Sequence, residues 1–133
     1  MRTITLIIIH CSATREDQSY SFEACRRDHI CNRHFYDIGY HYYITRDGRI
    51  HAGRPEELVG AHCKNHNRHS IGICYEGGLD ADGHPADTRT PAQRDSLRAL
   101  VWSLRLDYPK ALVVGHHALN PEKACPCFSI KDL

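Results

Sequence analysis

From Thr3 to Ile9 the chain is β-branched or apolar almost without interruption, and the run ends on His10-Cys11. A stretch with no polar face cannot lie half-exposed, so it predicts a central strand buried on both sides. Both faces of its sheet must then be covered, which points to an α/β fold. The run is far short of the ~20 apolar residues needed to span a bilayer. It also passes directly into His10, which argues for a first strand rather than a secretion signal. His10 stands where the strand is expected to end, the place where α/β sheets gather functional groups.

The following segments fit that frame. Ser19 or Ser21 can cap a helix over roughly Phe22 to His34, with Glu23 in its first turn. Asp37-Ile38-Gly39 reads as a turn, and Tyr40 opens a hairpin. Its strands are His41–Thr45 and Ile50–Ala52, joined through the Asp47-Gly48 turn. Arg54 to Asn67 is a long loop of the kind that carries function in small domains. Ser70–Tyr75 is a second central strand, and Gly77 to Thr90 an irregular connection. Thr90-Pro91-Ala92-Gln93 starts a helix, with Thr as N-cap and Pro at the first helical position. Leu97, Leu100, Val101 and Leu104 follow at helical spacing, and Ala111–Gly115 is a last strand. The whole of 1–133 reads as one domain, without repeat or linker, and 41% hydrophobic composition is enough for a real core.

Composition excludes several functions. A net charge of +1 gives no reason to expect non-specific binding to nucleic acid or an anionic membrane. Seven cysteines are an odd number without framework spacing, which suggests reduced thiols made in a cytosol. Cys25 and Cys31 lie six apart on one helix, a poor geometry for a disulfide. Cys11, Cys63 and Cys74 read as small buried apolar residues. Most of the eleven histidines need no role beyond packing or surface.

Two stretches do carry chemistry. His10 lies at one end of the chain, and Gly115-His116-His117 through Lys123-Ala124-Cys125-Pro126 at the other. Two histidines and one cysteine on separate segments form a set that zinc accepts while keeping a fourth position for water, the pattern of a catalytic site. By residue type alone, His117 competes with His116 and Cys127 with Cys125. Zinc would lower the pKa of bound water to ~7 and polarise a carbonyl. A lysine two residues before the thiol could face a developing oxyanion.

The words His10-Cys11-Ser12-Ala13-Thr14, Ile38-Gly39-Tyr40-His41-Tyr42, Arg46-Asp47-Gly48, Ala52-Gly53-Arg54, Gly60-Ala61-His62, Asn67-Arg68-His69-Ser70-Ile71-Gly72-Ile73, Thr90-Pro91-Ala92-Gln93, Gly115-His116-His117 and Lys123-Ala124-Cys125-Pro126 occur in this order. Together they resemble the zinc-dependent N-acetylmuramoyl-L-alanine amidases, the family of amidase-type phage lysozymes and peptidoglycan recognition proteins. The resemblance implies a central mixed, mostly five-stranded sheet with flanking helices and a substrate groove over one face. It implies one Zn2+ held by His10, His116 and Cys125, with Tyr40 and Lys123 catalytic and His62 and Asn67 lining the groove. The chain departs from the pattern by one extra residue around Asn120 to Glu122 and by Cys127 in place of a small residue. The general base is left open: related cytosolic amidases carry a glutamate where Cys74 stands, and Glu76 is two residues on.

The expectation is therefore a monomeric enzyme that hydrolyses the amide between the N-acetylmuramoyl group and L-alanine of peptidoglycan. It would be a phage or prophage lysin, made in the cytoplasm without a signal peptide and released to the wall through a membrane lesion. Two alternatives stand beside it: a non-catalytic peptidoglycan-binding module, and a cytosolic muropeptide-recycling amidase.

Overall fold

A computed structural model describes residues 2–133. Its centre is a five-stranded mixed sheet in the order β4-β3-β5-β1-β7. Strand β1 (Leu6–Cys11) lies between β5 (Ser70–Tyr75) and β7 (Leu112–Gly115) and is parallel to both. Strand β3 (Tyr42–Ile44) runs parallel to β5 on its other side, and β4 (Ile50–Ala52) closes the edge as the antiparallel arm of the hairpin. Ile7, Ile8, Ile9, Ile71 and Ile73 are fully buried, as strands covered on both faces require.

The first strand is displaced from its expected span. The ladder with β5 continues through His10↔Cys74 and Cys11↔Tyr75, so β1 extends past Ile9 and includes His10. That residue is thus held by a ladder on β1 rather than by a loop after it. Alternation along the strand puts Ile7, Ile9 and Cys11 with the larger core cluster, against Leu97, Val101 and Leu104 of α2 (Pro91–Asp107). Ile8 and His10 face the opposite side, where Cys25 of α1 (Phe22–Cys31) packs with Ile38, Tyr43 and Cys74.

Local signals account for the helices. Ser21 caps α1 by accepting the Ala24 N–H at 3.1 Å. The helix ends at Cys31, earlier than expected, because Asn32 closes back on Asp28 O and His34 turns to φ +60°. The second helix opens with a full capping box: the Thr90 hydroxyl accepts the Gln93 N–H and Gln93 Oε1 accepts the Thr90 N–H, each at 3.0 Å. The connection after β5 is less irregular than expected, since β6 (Gly78–Leu79) pairs with β2 (Thr14–Arg15) in a two-stranded parallel ribbon. Arg54–Asn67 is a loop as expected and ends in a 3-10 turn at Asn67–His69. All seven cysteines are unpaired, and Cys11, Cys63 and Cys74 are buried. Among the described residues no helix is long and apolar enough to cross a membrane.

Candidate metal centre and groove

Strand β7 ends at Gly115, and His116 is the first residue of the short helix α3 (His116–Leu119). Because β7 lies beside β1, this junction brings His116 next to His10, with ring centroids 4.6 Å apart. The chain then turns at Asn120, where the Lys123 N–H donates to Asn120 O, and returns Cys125 to the same point. Gly115 makes that return possible: a methyl group there would sit 2.8 Å from Pro126 Cδ. The candidate ligand atoms of His10, His116 and Cys125 all lie within 4.8 Å of one another. His10 Nδ1 is 3.8 Å from Cys125 Sγ, close to the ~3.6 Å that tetrahedral Zn–N and Zn–S bonds require.

The donor chemistry fits a borderline-soft divalent metal. Burial holds His10 well below the usual histidine range, and the neighbouring His62 and His116 rings push the same way. Burial also lowers His116, with the Lys123 cation adding to it. Both imidazoles are therefore neutral near pH 7 and have lone pairs to offer. Cys125 Sγ accepts the Cys11 N–H at 3.1 Å, a contact suited to a thiolate.

The competing ligands point elsewhere. His117 is exposed, and its Nδ1 donates to Lys123 O at 2.6 Å. Cys127 Sγ lies 3.8 Å from Cys11 Sγ. The Cys11 thiol is pushed up to about 12, chiefly by its bond to Cys125, and Cys127 is raised by its bond to Cys11 and by burial. Those two sulfurs stay protonated beside the cluster.

Around the three ligands lies an open groove of about 500 Å³. Tyr40, just before β3, and Lys123, in the turn after α3, both line it. Tyr40 packs its ring 5.3 Å from that of His10. Burial and the nearby Cys74, Cys25 and Cys125 thiols raise its phenol well above the ordinary range, so it is a neutral hydrogen-bond donor. The turn after α3, closed by the Lys123 N–H on Asn120 O, leaves Lys123 at the groove.

His62 and Asn67 also line the groove, but both have bonds that reach inward. His62 Nδ1 is 2.8 Å from His10 Nε2, and His62 Nε2 is 3.2 Å from Ser70 Oγ. Asn67 Oδ1 accepts the N–H groups of His62 and Cys63 at 2.9 and 3.0 Å, fixing the loop. Sequence reading missed Arg33 and Lys64, which with Lys123 give the groove three cations; among the described residues no carboxylate lines it. Arg33 and Lys64 belong to none of the recognisable words, so no local signal marked them.

Glu76 is absent from the groove. Its Oε2 accepts the Tyr20 N–H at 2.6 Å and its Oε1 the Arg46 N–H at 3.0 Å, so it fastens loops around the hairpin. A hollow of about 630 Å³ elsewhere is bordered by Arg2, Glu56 and Tyr108. Glu56 there is already engaged by the hydroxyls of Tyr42 and Tyr108, and none of the three metal-ligand candidates reaches it.

Comparison with known proteins agrees with this geometry. The family described as N-acetylmuramoyl-L-alanine amidase matches residues 1–128. The chain is 43% identical over 125 residues to the endolysin of Escherichia phage T7 and 42% identical over 125 residues to that of Klebsiella phage KP32. Each alignment covers 94% of this chain and 82% of the relative. Among solved structures, the endolysin N-acetylmuramoyl-L-alanine amidase LysCS from Clostridium intestinale superposes with a TM-score of 0.79 at 30% identity, covering 94% of this chain and 76% of that one. A fold with the strand that carries His10 between two parallel neighbours, sequence identity above 40% and a match along nearly the full length place this chain in the N-acetylmuramoyl-L-alanine amidase family.

Proposed function

We propose that this chain is a phage-type lysin that hydrolyses the amide joining the N-acetylmuramoyl lactyl group to L-alanine in peptidoglycan, using one Zn2+ held by His10, His116 and Cys125. The observation that carries the reading is the convergence of those three ligand atoms at the groove, from segments more than a hundred residues apart. A zinc ion bound there supplies Lewis acidity toward the scissile carbonyl and makes water acidic enough to act as a nucleophile near neutral pH. The remaining work falls to the chain. Lys123 places a fixed positive charge where negative charge develops on the carbonyl oxygen. Tyr40, neutral across the physiological range, donates a hydrogen bond and can relay toward the leaving amine the proton that the attacking water gives up. His62 and Asn67 form the wall along which the substrate lies. The protein acts as a monomer, is made in the cytoplasm, and reaches the wall through a membrane lesion.

The test is to incubate purified sacculi, and separately soluble anhydro-muropeptide, with the zinc-loaded protein and with Cys125→Ala. New amino groups from sacculi are expected with the wild type. The Cys125→Ala protein should lose more than the ~100-fold typical of outer-sphere changes. A fully active Cys125→Ala protein would overturn the ligand assignment. Wall binding without release of amino groups would mean a binding module, and cleavage of the soluble substrate alone a recycling enzyme.

A further inference from the structure

We infer that His62 is a positioning residue for the metal ligand His10, selecting the tautomer and ring orientation in which His10 can bind zinc, with Ser70 as its anchor. The inference rests on the zinc reading above and adds to it a three-residue relay behind the ligand.

The argument is one of proton counting. A neutral imidazole carries one proton on two nitrogens. His10 Nδ1 faces Cys125 Sγ at 3.8 Å, while His10 Nε2 faces His62 Nδ1 at 2.8 Å. For Nδ1 to offer its lone pair to a metal, the proton must sit on Nε2 and be donated to His62. Then His62 Nδ1 must be bare, its own proton lies on Nε2, and the hydroxyl oxygen of Ser70 at 3.2 Å accepts it. The opposite arrangement would leave a proton on His10 Nδ1, pointing into the metal site. Metal-bound histidines ordinarily donate their second N–H to a carboxylate, carbonyl or water; here the acceptor is a second histidine.

Three features hold His62 in this place. Asn67 Oδ1 clamps the backbone N–H groups of His62 and Cys63. Ser70 is fully buried at the start of β5. Gly72, two residues along the same strand, leaves the space the ring occupies: a Cβ there would lie 2.6 Å from His62 Cγ. The ring is thus seated on strand backbone beside the ligand it contacts, and lining the groove is only part of its role.

The experiment compares zinc dissociation constants, by chelator competition, and the visible spectra of the cobalt-substituted proteins. The variants are His62→Phe, which keeps a ring without an acceptor; His62→Asn, which keeps an acceptor near the Nδ1 position; Ser70→Ala; and Cys125→Ala. Each metal-free variant is first checked for cooperative unfolding. We expect His62→Phe to weaken zinc about 10- to 100-fold and to alter the cobalt spectrum. His62→Asn should recover most of that loss, and Ser70→Ala should move both readouts less and in the same direction. A folded His62→Phe protein with wild-type zinc affinity and cobalt spectrum overturns the inference. If His62→Phe does not fold, wild-type zinc affinity and cobalt spectrum in Ser70→Ala overturn it. Wild-type zinc affinity in Cys125→Ala would instead overturn the zinc reading itself, so the two failures are distinct.

Discussion

The polar cluster around Gln93 and the one around His10 differ in how their valences are used. In the first, the Gln93 side-chain N–H group donates to Ile44 O and Glu76 O at 3.1 and 3.0 Å, and Gln93 Oε1 accepts the Thr90 N–H. The Thr90 hydroxyl donates to Arg46 O, and the Glu76 carboxylate accepts two backbone N–H groups. Donors and acceptors close on one another within the chain. In the second, the candidate ligand atoms of His10, His116 and Cys125 converge to within 4.8 Å of one another at the groove. A closed cluster ties loops to the sheet, whereas convergent lone pairs call for a cation from outside. This difference, more than residue type, makes Cys125 and not Glu76 a candidate ligand.

The contrast can be broken at several points. Lys123→Ala and Tyr40→Phe should each lower the turnover of sacculi by about 10²- to 10³-fold, as the loss of one preorganised donor does. Zinc content, measured by elemental analysis, should stay near one per chain. A loss of zinc in either variant would place that residue with the ligands instead. In the closed cluster the effects reverse. Gln93→Ala should cost about 1–3 kcal/mol in urea-induced unfolding, because it strands buried carbonyls, and leave zinc affinity unchanged. Reduced metal binding in a folded Gln93→Ala protein would show that the clusters are coupled.

A smaller effect concerns acid. His41 accepts the Gly72 N–H and His29 the Gly39 N–H, and burial lowers both histidines below their ordinary range. In the unfolded chain each takes up a proton near pH 6.5, while in the folded chain each stays neutral to lower pH. The unfolded state then binds more protons, so this contribution to stability is present above about 6.5 and falls as the pH drops below it. Denaturant titrations of the metal-free protein from pH 7.5 to pH 5 should show the decline. His41→Gln should flatten it, and an unchanged slope would assign the decline to other groups.

Features set by neighbours in sequence were legible in advance. Thr90, Pro91 and Gln93 form their capping box within one turn, and the Asp47-Gly48 hairpin and the Ser70–Tyr75 strand fall where composition puts them. The length of α1 was overestimated because nothing in Asn32-Arg33-His34 announces the left-handed turn that stops it. The ribbon of β2 and β6 is two residues on each side, too short for any periodicity. In the candidate site, ordered motifs singled out His10, His116, Cys125, Tyr40 and Lys123, which all lie at the groove. The second bond of His62 was not, because it joins positions 52 residues apart and depends on the bare backbone of Gly72. The choice of His116 over His117 likewise needed the turn that ties the latter ring to Lys123 O.

Arg33, Lys64 and Lys123 border the groove, and among the described residues no carboxylate lines it, although the chain as a whole is almost neutral. A polymer whose peptides bear free carboxylates is then drawn in by a local field rather than by bulk charge. Such attraction fades once the Debye length, about 8 Å at 0.15 M salt, falls below the width of the cleft. Capture of the wall should weaken in brine, while the bond-breaking step, sheltered beside the ligand cluster, should hardly notice.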